Sequence, residues 1–297
     1  MHGNERLIIY ARYPIIFQHL TSFIRTWAQH VGLYGQSYGY LSGYTWAVLC
    51  AHICHSSIIS IEDFSLDQFF DLVEKFFSTY AKFPWINQSL DFHGNSLKGV
   101  KEVLNRGAMR ISSPCPPYNN TARVTFVSTR DLIVQGFQHV VDLLVEIDTS
   151  TPDGKIHAMQ KILELENEFP MKKVQSLLEL TLSSANPSEL EEWIGWLRSR
   201  LAFFLNTCEE RCRLSFQTQN TVEYRANHTE AVYSIGFFVD EKSLNQNQKF
   251  SNALKQFLEQ FTLYPNLQES MKISHQIRST FDWKLERTQP KSQRIRK

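Results

Sequence analysis

The sequence predicts an α+β protein: a mainly helical domain, then a smaller α/β plait of order βαββαβ. Three observations carry this. Residues 1–147 hold apolar stripes at helical spacing. Residues 155–285 mix two long helical stripes with short alternating or β-branched runs. Between them Asp148–Gly154 (DTSTPDG) is dense in turn formers and reads as a hinge. The predicted division is therefore 1–147, 155–285 and a basic tail, 286–297.

The 297 residues suit two domains, and 42% hydrophobic with 13% aromatic content supports packed cores. The net charge of +1 gives no global attraction to nucleic acid, so RNA binding would need local patches. No apolar run reaches membrane-span length, and no signal peptide is expected behind Met1. The 5 cysteines are an odd set without secretory context, which points to a reducing compartment. The sequons at Asn87, Asn119 and Asn227 carry no meaning there.

Taken in order, Leu7–His30 is an apolar, aromatic-rich run broken at Pro14. Phe23, Ile24 and Trp27 fall at helical spacing, and that helix runs out at Gly32–Gly35. A second helix starts near Ser42–Gly43, with Ser42 as N-cap and Trp46, Leu49, Cys50 and Ile53 on one face. The loop between carries Gly35, Gly39 and Gly43, so backbone can turn sharply and approach a ligand. Ile61–Tyr80 is a strong amphipathic helix, with Asp63, Asp67 and Asp71 on a solvated face rather than as a metal stripe. Residues 87–106 show no clear period. Met109–Val124 is turn-rich, and Thr129–Ile147 and Lys155–Phe169 are further helices.

In the second domain Leu178, Leu180 and Leu182 alternate with polar residues, as in a half-buried strand. Asn186-Pro-Ser-Glu opens a helix whose stripe runs through Trp193, Leu197, Leu201 and Phe204. A short strand near Leu214–Phe216, a strand at Val232–Val239, a helix through Phe250–Phe261 and a strand at Met271–Ile277 complete the order. That order is RNA-recognition-like.

One stretch is more specific than its periodicity. FIRTWAQHVGLYGQSYGYLSGYTWAVLCAHIC, Phe23–Cys54, resembles the opening of the central domain of the eukaryotic poly(A) polymerases. MRISSPCPPYNNTARV (Met109–Val124) resembles the end of that domain. Trp193-Ile-Gly-Trp-Leu-Arg-Ser-Arg-Leu and Tyr233-Ser-Ile-Gly-Phe resemble its carboxy-terminal RNA-binding domain. The resemblance implies ATP contacts at Arg25, where the family has a Lys near the triphosphate, and at Tyr34. It also implies them at Gly43, the second Gly of a Gly-Gly-Val element, and at the adjoining Tyr44, which stands where Val is usual. Gln36 replaces an Asn and Ser42 the first Gly. Arg198, which replaces a Glu, and Arg200 are the weaker RNA-binding candidates.

The family's Gly-Ser…Asp-x-Asp signature holds paired metals, and this chain contains neither a Gly-Ser dipeptide nor an Asp-x-Asp. The resemblance thus implies an ATP- and RNA-binding portion of a template-independent adenylyltransferase acting on RNA 3′ ends in the nucleus. An upstream catalytic domain would supply Mg²⁺ or Mn²⁺, with 3′-end processing factors as further partners and no membrane. The alternative is a scaffold that kept the fold and lost the chemistry; Tyr44 and Gln36 favour it. Cys50-x-x-x-Cys54 and Cys208-x-x-x-Cys212 lack zinc spacing and read as core thiols. The basic tail Lys284–Lys297 reads as solvated.

Overall fold

The computed structural model describes residues 3–57, 64–92, 107–116, 118–165, 174–219, 222–225 and 228–280. The chain divides into two compact units, Met1–Phe169 and Pro170–Lys297. The first is helical and the second carries one antiparallel sheet, so the α+β reading holds.

The helical unit contains α1 (Gly3–Ala11), α2 (Pro14–His30), α3 (Gly43–His55), α4 (Leu66–Lys82), α5 (Val127–Glu146) and α6 (Pro152–Glu164). Pro14 sits in the first turn of α2, where its missing N–H costs nothing. Ser42 and Ser65 cap α3 and α4 through their hydroxyls. The core forms around Trp27 of α2, which meets Phe77 at 4.8 Å, and Trp46 and Phe137 at 5.9 Å each. These rings are fully buried, and edge-to-face contacts with Trp46 and Phe77 and a stacked one with Phe137 add to the area they remove from water. Gly136 of α5 lets Leu33 and Trp27 pack close: a Cβ would lie 2.6 Å from Leu33 Cδ1, which would have to move, and 3.5 Å from the Trp27 ring.

The α2–α3 connection turns at Gly35 (φ 115°) and Gly39 (φ 84°), both in the region that glycine tolerates. The Thr129 hydroxyl donates to the Gly39 carbonyl at 2.6 Å and accepts from the Phe126 N–H at 3.0 Å. This ties the loop to the start of α5.

The run Asp148–Gly154 forms a turn and the N-terminus of α6. That helix packs on α2, α4 and α5, burying Ala158 and Ile162. His30 Nδ1 donates to the Leu163 carbonyl at 2.7 Å, and Lys155 pairs with Asp67 at 2.7 Å. The compact units divide at Phe169–Pro170, later than the expected 148–154 hinge, because α6 completes the helical core. Asp71 is exposed, and Asp63 lies outside the described residues, as does the basic tail.

The second unit runs β1 (Ser176–Ser183), α7 (Pro187–Glu210), β2 (Phe216–Thr218), β3 (Glu223–Arg225), β4 (Glu230–Phe237), α8 (Glu241–Gln246), α9 (Gln248–Thr262) and β5 (Lys272–Ser279). The sheet order is β2-β4-β1-β5, with β3 also on β4, and every pairing is antiparallel. Asn186 caps α7 with Pro187 behind it, as expected. Leu178, Leu180, Tyr233, Ile235 and Phe237 share one face, set by the β1–β4 register, and Phe237 meets Phe250 of α9 at 5.3 Å. The half-buried expectation for β1 needs correction. Leu177 and Glu179 on its other face are buried too, since β1 is central between β4 and β5. The short β3 and α8 were not anticipated.

Candidate functional site

Four of the residues singled out by sequence come together at one end of the α2–α3 pair. Arg25, one turn from the end of α2, reaches across to Tyr34 in the connecting loop. Its Nη2 donates to the Tyr34 hydroxyl at 3.0 Å, and the guanidinium carbon lies 5.9 Å from the ring centroid. Both groups cross directly over Gly43, the first residue of α3. A Cβ there would stand 2.4 Å from Tyr34 Oη and 3.1 Å from Arg25 Nη2. Glycine lets the two side chains close over this position, and a methyl group there would push their ends aside. Arg25 is exposed and Tyr34 half-buried, so the pair is accessible to a ligand.

Arg25 and Gly43 border a cleft of about 660 Å³ walled by α1, α2 and α3, with Tyr34 behind them outside its lining. Leu7, Ile8, Phe17 and Ala47 form its apolar side. Gln18, Ser22, Arg25, Thr26 and Gln29 supply polar groups, and Gly43 and Tyr44 close it at the start of α3. Apolar walls with few convergent polar groups suit a small-molecule site. The cleft also adjoins the N-terminus of α3, where free N–H groups and the helix dipole favour anions. Of those groups the Thr45 N–H is taken by Ser42 Oγ at 3.1 Å.

Tyr44 is held from outside the helix. Its hydroxyl lies 3.1 Å from Ser113 Oγ in the turn-rich segment, and burial pushes its phenol up from the ordinary tyrosine range. Thr45 Oγ1 donates to the Thr121 carbonyl of the same segment at 2.9 Å. That segment is knotted by Asn120. Its Oδ1 accepts from the Ile111 and Ala122 N–H groups at 3.0 Å each, and its Nδ2 donates to Met109 O at 2.9 Å. Sequence reasoning placed this segment in the fold but missed its grip on the cleft.

The remaining candidates fare differently. Arg198 and Arg200 are two positions apart on α7, about 200° around the helix, and do not act together. Arg200 stacks on Trp196 with its guanidinium carbon 3.1 Å from the ring centroid and donates to Ser199 Oγ. Trp196 itself is edge-on to Tyr264 and donates its indole N–H to Gln260 O at 3.0 Å. Phe203, on the same side of α7, is exposed. The sheet face away from the helices matters more for RNA. RNA-recognition sheets stack bases on aromatic side chains of their central strands. The register places Leu177, Glu179 and Thr181 of β1 and Val232, Ser234 and Gly236 of β4 on that face. None of these is aromatic, and Glu179 pairs with Arg278 at 3.0 Å.

The cysteines are all buried free thiols. Burial raises Cys50 and Cys208 well above the ordinary thiol range, raises Cys212 and pushes Cys54 up to about 12, so they stay protonated and inert. Among the described residues no three His, Cys, Asp or Glu side chains stand together to hold a metal, so no metal-dependent step is assigned to them. Among those residues no helix is long and apolar enough to cross a membrane.

Comparison with known proteins addresses the same segments. Residues 16–156 match the model of the poly(A) polymerase central domain, which covers α2 through the start of α6. The chain is 35% identical over 202 residues to poly(A) polymerase PAPalpha of Candida albicans, covering 63% of this chain and 33% of that protein. It is 27% identical over 204 residues to nuclear poly(A) polymerase 3 of Arabidopsis thaliana, covering 66% and 35%. With the poly(A) polymerase of Dictyostelium discoideum the identity is 26% over 200 residues, covering 65% and 23%. The chain thus spans about a quarter to a third of the length of these relatives. By these matches residues 16–156 are a poly(A) polymerase central domain, and the chain is similar to eukaryotic poly(A) polymerases over 63–66% of its length.

Proposed function

We propose that this chain is the ATP- and RNA-handling portion of a template-independent poly(A) polymerase, which adds adenylate to RNA 3′ ends. The observation that carries the reading is the Arg25–Tyr34 pair lying over Gly43 at the mouth of the α1–α2–α3 cleft. Arg25 would contact the triphosphate with a charge-assisted hydrogen bond. Tyr34 would orient the guanidinium and offer its ring and hydroxyl to the nucleotide. The N-terminus of α3 would add favourable dipole charge.

Adenylyl transfer needs metal ions between attacking and leaving oxygens, and these 297 residues contain no Asp-x-Asp to hold them. Mg²⁺ or Mn²⁺ and the paired carboxylates therefore belong to an upstream nucleotidyltransferase domain. The RNA 3′ end and 3′-end processing factors are the remaining partners of this reading. A nuclear site of action accords with relatives named nuclear poly(A) polymerases. Arg198 and Arg200 remain candidates for RNA contact, one at a time rather than as a clamp.

Primer extension tests this. A labelled oligo(A) primer is incubated with ATP and Mg²⁺ or Mn²⁺, using the chain alone and the chain joined to an upstream domain bearing Asp-x-Asp. Extension only by the joined protein is expected. Extension by the chain alone would reveal a metal site within it. Silence from both with intact RNA binding would favour a scaffold, the reading supported by Tyr44 in place of a small residue beside Gly43.

A further inference from the structure

The helical unit shows a second set of contacts on the cleft that the family motifs do not include. Tyr44 lines the cleft beside Arg25 and Gly43, yet its hydroxyl is engaged 69 residues away by Ser113 at 3.1 Å. Ser113 is itself fixed. Its Oγ accepts from the Cys115 N–H at 3.1 Å, and its N–H donates to the Asn119 carbonyl at 2.9 Å. A tyrosine anchored at both the backbone and the hydroxyl loses its freedom to swing, so its ring is a fixed part of the cleft lining. Planar walls favour planar ligands by stacking, and a larger ring system gains more than a smaller one.

Resting on the nucleotide reading above, we infer that Ser113 is a positioning residue that fixes Tyr44 as a base-stacking wall, so that the cleft prefers purine over pyrimidine nucleoside triphosphates. Arg25 holds the phosphates whatever the base. Tyr44 and Ser113 read the base. The separation predicts two kinds of variant. Arg25→Ala lowers affinity for every nucleotide in proportion. Ser113→Ala and Tyr44→Phe break the same hydrogen bond and lower ATP affinity about three- to tenfold, the range of one neutral hydrogen bond. CTP affinity changes little, so the ATP/CTP ratio falls.

The test is calorimetric titration of the purified chain with ATP, CTP and inorganic tripolyphosphate, with thermal melts as folding controls. Ser113→Ala and Tyr44→Phe should each lower the ATP/CTP ratio, and the double variant should lose no more ATP affinity than Ser113→Ala alone, since both remove the Tyr44–Ser113 bond and only Ser113→Ala also frees the Cys115 N–H. Ser113→Thr, which keeps the hydroxyl, should restore the ATP/CTP ratio. The inference fails if Arg25→Ala weakens ATP while Ser113→Ala and Tyr44→Phe leave the ratio unchanged; the nucleotide reading then stands. It also fails if Tyr44→Ala tightens ATP, which would make the ring an obstruction. If the parent chain binds neither ATP nor tripolyphosphate, the nucleotide reading falls and the inference with it.

Discussion

In the helical unit, large aromatic rings from α2, α3, α4 and α5 converge on Trp27, and the functional candidates sit on the rim of that core. In the sheet unit, the buried aromatic residues pack among the helices and the sheet face they cover, where Phe204 stacks on Phe257 at 4.5 Å and Phe237 meets Phe250. Its opposite sheet face carries instead an ion pair between buried Glu179 and half-buried Arg278. One unit presents side chains toward a cleft from a rigid apolar base. The other has the strand order of an RNA-recognition domain without that domain's aromatic platform. Shared topology therefore does not carry shared binding chemistry, and function has to be read from the residues on each face.

The largest expected effect probes the helical core. Trp27→Ala should cost about 3–5 kcal/mol, because a fully buried indole leaves a cavity among stiff rings. Urea unfolding followed by far-ultraviolet circular dichroism should show an early helical transition with the sheet transition in place. A uniform shift of both would remove the contrast between the units.

Next is the ion pair. Glu179 is 9% exposed and Arg278 27%, so Arg278→Ala strands a buried carboxylate. The expected loss is about 2–3 kcal/mol in the second transition, below the range for a fully buried pair because Arg278 is partly solvated. An unchanged midpoint would show that Glu179 finds water instead.

These two sites also show what was legible in advance. Local signals read well: the Ser42 and Asn186 caps, the break at Pro14 and the helical stripes each depend on neighbours within a turn. The Arg25–Tyr34–Gly43 constellation was legible because its members lie within 19 positions of one another in the sequence and match a family motif. Long-range pairings were not. Nothing near Ser113 announces Tyr44, and nothing near Glu179 announces Arg278, since neither contact has a periodic signature. The turn formers at 148–154 marked a real turn, but a turn between packed helices looks the same in sequence as a turn between domains. The short β3 and α8 carry too few residues for periodicity to show.

A smaller effect sharpens the cleft side. Ser42→Ala removes the side-chain acceptor for the Thr45 N–H and should cost about 1 kcal/mol in the helical transition. Ser42→Gly, closer to the family pattern, should cost only a few tenths of that. Equal losses would mean that the hydroxyl's contact with Thr45 Oγ1, rather than capping, is what matters.

The smallest is a pH slope. Burial, and then the nearby His55 and Lys75 charges, lower the His52 imidazole from its ordinary value of 6.5. The unfolded chain therefore takes up a proton near pH 6.5 while the folded chain does not. This contribution leaves stability intact above that value and erodes it as pH falls through 6.5 toward the lower folded value. Melts of the parent and of His52→Gln from pH 7.5 to 5 should converge in slope above 6.5 and diverge below it. A parent that gains stability on acidification relative to His52→Gln would mean that the folded protein binds the proton more tightly.

The most direct measurement is the ATP dissociation constant of the parent chain against Arg25→Ala and Gly43→Ala. Arg25→Ala should weaken ATP by about 1.5–3 kcal/mol, the worth of a hydrogen bond to a charged group, or roughly 10- to 150-fold. Gly43→Ala should weaken it too, since its methyl displaces both Tyr34 and Arg25. ATP affinities indistinguishable among the three proteins would contradict the account, because the pair over Gly43 would then hold no nucleotide.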